Sequence, residues 1–243
     1  MSNPYLLLWF EAPLQSWGSD SKFGRRDTQA FPTKSGVLGL MCSALGAGGE
    51  QRELLATFAP LSQTVISFTR DKQTVGSMTN LDREPLLRDF HMVGSGYDDQ
   101  DPWQTLLIPK TSEGKKAVGG GSKMTYRYYL QDAAFAVVIE VPADEAEAIV
   151  QSLQSPTWDV YLGRKNCVPT DFIYRGVFDN ETAAIEQAVL IAGQKKRIED
   201  FRVLQGAISD DEVDEVFTLN DVPVQFGKDK RYRDRQVSLI YGR

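Results

Sequence analysis

Apolar residues recur along this chain in two kinds of run, and their periods predict alternating strands and helices. Residues 5–10, Tyr-Leu-Leu-Leu-Trp-Phe, are apolar throughout, as in a strand buried on both faces. Val37, Leu38, Met41 and Leu45 then fall at i, i+1, i+4 and i+8, one apolar face of a helix. Pro32 stops whatever precedes that helix, Thr33 or Ser35 can cap its first turn, and Gly46 stands where a left-handed C-cap would end it. Residues 51–58 read as a second short helix, and the alternating residues 63–69 as a strand. Residues 134–141 form another strong strand pattern. The helix opened by Pro142 and Asp144 follows, with Ala146, Ile149, Val150 and Leu153 at i, i+3, i+4 and i+7. A strand over 172–178 and a helix over 182–192 complete this series.

The alternation breaks between residue 71 and about residue 132. Two β-rich segments, 86–93 and 125–130, can pair as an antiparallel hairpin. Between them lie Pro102, Pro109, Gly114 and the run Gly119-Gly-Gly121, with lysines and little apolar content. An insert of this kind predicts a protruding thumb hairpin, at about 75–132, with a mobile tip. The order β-α-β, hairpin, β-α-β predicts an α+β class: a ferredoxin-like, RRM-like domain over 1–180. Short strands at 202–205, 215–218 and 236–241 predict a small β-rich C-terminal appendage over 181–243.

The 243 residues are 42% apolar and 25% charged, enough for a sizeable core. The net charge of −6 argues against a general nucleic-acid binder, whose usual footprint is a basic domain. The charge is uneven, however. Residues 110–127 carry five basic side chains and one acidic, and residues 228–235 five basic and two acidic. A local basic surface on an acidic chain suits a complex subunit that meets nucleic acid on one side, although solvated faces give the same composition. Cys42 and Cys167 have no Cys or His neighbour in sequence, and His91 is the single histidine, so neither a zinc site nor any other metal or cofactor is expected. The apolar run at 5–10 is too short for a signal peptide or a membrane span, which predicts a cytoplasmic protein.

Candidate chemistry begins at the first helix. Free N–H groups at a helix start bind anions, and Lys34, Ser35 and Gly36 stand there with Arg25 and Arg26 upstream. The same residues also fit an ordinary buried helix whose glycines allow close packing. They do not fit a P-loop, whose lysine follows its glycines. Tyr161, Gly163, Arg164 and Lys165 make a basic turn able to hold phosphates, and Tyr126-Arg-Tyr-Tyr129 interleaves aromatic faces with a cation, as in single-strand stacking. His91 with Lys123 and Tyr126 could serve a metal-independent ribonuclease, the histidine moving a proton of the 2′-hydroxyl.

Four strings carry a family resemblance. They are Ala12-Pro-Leu-Gln-Ser-Trp-Gly18, Phe31-Pro-Thr-Lys-Ser-Gly-Val-Leu-Gly-Leu40, Arg88-Asp-Phe-His-Met-Val93 and Tyr161-Leu-Gly-Arg-Lys-Asn-Cys167. In order and spacing, over roughly residues 4–170, they resemble the CasD family, the RAMP subunit of the type I-E CRISPR Cascade complex. The resemblance implies an RRM-like fold and a non-catalytic subunit that caps the crRNA 5′ handle. It also implies contacts to the large and backbone subunits, and target DNA met only indirectly. In related type I-C systems the counterpart cuts repeat RNA, the alternative that keeps His91, Lys123 and Tyr126 as catalytic candidates. The resemblance further implies that Arg25, Arg26, Lys34, Ser35 and Gly36 hold handle phosphates and that Gln15 and Trp17 touch a displaced base. Arg88, His91, Tyr126 and Arg127 would line the thumb base, and Tyr161, Gly163, Arg164 and Lys165 the glycine-bearing turn.

Overall fold

The computed structural model describes residues 2–18, 21, 24–71, 83–93, 100–108, 110–115, 123–208 and 213–242. The chain opens with β1 (Tyr5–Glu11) and four two-residue strands, β2 (Leu14–Gln15), β3 (Trp17–Gly18), β4 (Arg25–Arg26) and β5 (Thr28–Gln29). Helices α1 (Lys34–Leu45) and α2 (Arg52–Phe58) lead to β6 (Gln63–Arg70), β7 (Leu87–Val93), α3 (Pro102–Leu107), β8 (Lys123–Gln131) and β9 (Ala134–Glu140). Then come α4 (Ala146–Gln154), β10 (Tyr174–Phe178), α5 (Glu181–Gln194), β11 (Arg197–Gln205), β12 (Glu215–Gln225) and β13 (Arg231–Tyr241).

A seven-stranded sheet in the order β10-β1-β9-β6-β11-β13-β12 is the frame, and each neighbouring pair in it is antiparallel. β1 lies inside it, and Leu6 to Phe10 are fully buried because both faces of the sheet are covered. On one face Leu6, Leu8 and Phe10 join Val37, Leu38 and Met41 of α1 and Ile149 of α4 in one core cluster. On the other, Leu7 and Trp9 pack with Ile66, Phe68 and the alanines of α5. Ala184, Ala188 and Ala192 recur every fourth residue, so the helix approaches the sheet closely.

Two expectations change. The segment between the hairpin strands is not featureless: Pro102 opens α3, and the Asp101 carboxylate caps it by accepting from the Trp103 N–H at 2.9 Å. The hairpin tip, and the mobility expected of it, lie outside the described residues. The C-terminal strands do not stand apart as an appendage. β11 pairs with β6, placing Val203 beside Val65 and Arg202 beside Ile66, and β13 and β12 extend the same sheet. β6 is buried on both faces, so its second backbone edge must also find hydrogen-bond partners, and β11 supplies them.

Candidate nucleic-acid interface

The start of α1 is built differently from a phosphate cradle. Thr33 caps it, its hydroxyl accepting from the Gly36 N–H at 3.2 Å. The Lys34 N–H donates to the Asp221 carboxylate of β12 at 2.7 Å, so an internal anion already sits at the positive end of the helix. The Lys34 side chain is fully buried, and its ammonium donates to the Ala59 and Leu61 carbonyls at 3.2 and 2.5 Å and to Gln205 at 3.4 Å. Burial, followed by the nearby Arg235 charge, lowers its pKa to about 8. Lys34 therefore ties α1 to α2 and β11 and offers nothing to an external phosphate. Gly36 is required by packing, since a Cβ there would come within 2.8 Å of the Trp17 ring.

Gln15 and Trp17 are likewise internal. The Gln15 amide donates to the Phe10 and Ala133 carbonyls at 3.2 and 2.7 Å and accepts from the Trp17 indole at 3.2 Å. The indole stacks on Phe10 with centroids 5.3 Å apart, and both side chains are fully buried. Together they fix the exit of β1, and Trp17 also borders the cleft described next.

What the fold does assemble is a cleft of about 530 Å³ beside the half-buried side of α1. Trp17, Arg26, Ser35, Gly36, Tyr161, Gly163 and Arg164 line it, seven of the residues singled out from sequence. Gly163 adopts φ +100°, and a Cβ there would fall 1.7 Å from the Ser16 carbonyl oxygen, so only glycine lets this turn reach the chain leaving β1. The Arg164 guanidinium donates to the Tyr128 and Arg26 carbonyls at 3.0 and 2.8 Å and lies 4.6 Å from the Tyr129 ring. It is a clamp joining the turn to β4 and β8, and it brings positive charge to the wall. Lys165 is exposed on the same turn but outside the lining.

Trp158, Phe226, Lys230 and Tyr232 also line the cleft and were not anticipated. The basic composition of 228–235 was visible in the sequence. Its position was not, because it depends on β13 pairing between β11 and β12 and so carrying the β12–β13 turn back beside α1.

The hairpin of β7 and β8 stands next to this wall. β4 pairs with β8 in parallel, Arg25 beside Tyr126 and Arg26 beside Arg127. The Arg25 guanidinium lies 4.8 Å from the Tyr128 ring and pairs with Asp27 at 2.8 Å. On β7, Phe90 lies opposite Tyr126, ring centroids 5.3 Å apart, with Arg88 5.6 Å from the same tyrosine. His91 lies opposite Thr125 and pairs with Asp89, itself opposite Arg127. Successive strand residues face opposite sides, so His91 and Tyr126 project from opposite faces of the ribbon. Lys123 lies opposite Val93 in the register. The His91–Tyr126 pairing needed by a ribonuclease site is not formed in this geometry.

No group of three or more His, Cys, Asp or Glu side chains suited to a metal occurs among the described residues. No described helix is long and apolar enough to cross a membrane.

The comparisons with known proteins agree with one another. A family model described as CRISPR-associated protein (Cas_Cas5) matches residues 5–238. The CRISPR system Cascade subunit CasD of Escherichia coli (strain K12) is 30% identical over 180 residues, covering 71% of this chain and 70% of that protein. Among solved structures, a chain of a CRISPR RNA-guided surveillance complex aligns with a TM-score of 0.66 at 27% identity, covering 98% of this chain and 89% of its own. A structure titled as a Cas protein aligns with a TM-score of 0.58 at 25% identity, covering 98% and 94%. A match that runs through all seven strands of the sheet, from Tyr5 to Ser238, places the chain in the Cas5 family of CRISPR-associated proteins.

Proposed function

We propose that this chain is the CasD-type subunit of a type I-E Cascade complex and that it binds and caps the 5′ handle of crRNA without cutting it. The observation that carries the reading is the cleft: Arg26, Arg164 and Lys230 converge there with Trp158, Tyr161 and Tyr232, although the chain as a whole carries a net charge of −6. Cations beside exposed aromatic rings are the combination that holds single-stranded RNA. The similarity to CasD and to a chain of an RNA-guided surveillance complex supports the same assignment. The four strands β10-β1-β9-β6 stand in the order fourth, first, third, second of a β-α-β-β-α-β unit, which supports a ferredoxin-like, RRM-like core. In this reading the partners are crRNA and the large and backbone subunits, with target DNA reached only through them. No cofactor is needed, and the complex works in the cytoplasm. The separation of His91 from Tyr126 favours binding over cleavage.

Changing Arg26 to Glu tests the reading. Binding of a labelled handle RNA should weaken, and the slope of log affinity against log salt should flatten by about one, because fewer counterions are released. An unchanged slope and affinity would count against the cleft as the RNA site.

A further inference from the structure

We infer that the cleft seats one unstacked ribonucleotide, its sugar edge against the bare face of α1 at Gly39, its base on Trp158 and its phosphate between Arg26 and Lys230. This rests on the RNA-binding reading above and adds the C-terminal β12–β13 turn as the second wall of the site. Gly39 is the first indication. A mid-helix glycine costs about 1 kcal/mol against alanine, and packing does not require this one. A Cβ at Gly39 would meet only the edge of Phe226, at 3.9 Å, an ordinary contact. Gly36, by contrast, is pinned by Trp17. Gly39 is thus the position where α1 is kept bare toward the cleft.

The opposite elements supply what a nucleotide needs. The outer edge of the Trp158 ring lies beside Gly48, where a Cβ would come within 3.1 Å of it. The residue is still 50% exposed, which leaves indole surface open for a base to stack. Lys230 stands exposed on the turn and lines the cleft together with Arg26 of β4. A cleft of about 530 Å³ lies in the range of small-ligand sites and suits a single nucleotide. A duplex presents no unstacked base to it.

The full-length protein, alone and in its assembled complex, would be titrated with a labelled single-stranded octaribonucleotide and with a blunt RNA duplex. Gly39→Ala should raise the melting temperature of the RNA-free protein by about 2–4 °C while weakening single-strand binding. Gly39→Leu should weaken it more than about tenfold by filling the space against α1. Trp158→Ala should lose affinity that Trp158→Phe restores, and Lys230→Glu should reduce the salt slope by about one. A role confined to packing would move stability and binding in the same direction. If the wild-type protein holds the single strand and none of these variants changes its affinity, the inference is wrong and the broader RNA-binding reading survives. If the wild-type protein and its complex hold no single-stranded RNA, both fall.

Discussion

Lys34 shows how a single residue can mislead a reading made from sequence. A lysine at a helix start, with arginines upstream, has the composition of an anion site. Its side chain nevertheless runs inward, because the end of α2 and the connection to β6 offer carbonyls that need a donor, and Asp221 and Arg235 surround its charge. Those groups come from positions 25–201 residues away in sequence, so nothing local to Lys34 could reveal them. The burial has a measurable consequence. With its pKa lowered from 10.5 to about 8, folded Lys34 binds fewer protons than unfolded Lys34 between those values. Stability from this group therefore rises as pH rises from about 8 to 10.5. Cys42 acts in the opposite sense, since burial raises its thiol from 9.0 to about 11. Urea unfolding of wild type and Lys34→Met across this range separates the two: the difference between them should shift in favour of the wild type with rising pH. A pH-independent difference would show that the ammonium is not desolvated as the fold indicates.

The elements legible in the sequence are those whose environment is the same along their whole length. β1 and β9 are buried on both faces and read as nearly unbroken apolar runs, whereas β6, equally buried, alternates and carries Gln63, Thr64 and Ser67 among its apolar residues. The two-residue strands β2, β3, β4 and β5 carry no such signal; β2 and β4, for instance, exist because β8 offers them backbone partners. The elements are also joined by a charge network that no spacing predicts. Arg197, 5% exposed, donates to Glu11 at 2.9 Å and to Asp132 at 3.2 Å, linking β11, β1 and the β8–β9 turn. Lys195 adds Asp171 at 2.6 Å, and Arg70 pairs with Asp132. Burial alone would raise the Glu11 carboxyl, but the hydrogen bonds from Lys195 and Trp9 and the charge of Arg197 outweigh it and hold it below its ordinary 4.5. The stability this gives is present above that value and lost as pH falls through the lowered pKa. Arg197→Met removes the cation shared by Glu11 and Asp132 and leaves them only Lys195 and Arg70 as cationic partners, and should cost about 1–2 kcal/mol at neutral pH, read by urea unfolding. The deficit should shrink in acid as the carboxyls protonate. A variant as stable as wild type at neutral pH would mean the network contributes nothing.

At the scale of the whole molecule, an acidic protein brings Arg26, Arg164 and Lys230 to one cleft, with Arg25 and Arg88 against the tyrosines of the neighbouring hairpin. The sheet order does this, by returning the basic β12–β13 turn to the helix that follows β1. In the proposed role this chain holds the leading end of a guide RNA without making the cut itself. The most direct test is to purify the tagged chain within its complex and sequence the RNA that comes with it. Repeat-derived RNAs sharing one 5′ end should be recovered, with the same yield and the same end from a His91→Ala variant. Complexes without RNA, or a 5′ end that disappears when His91 is removed, would contradict it.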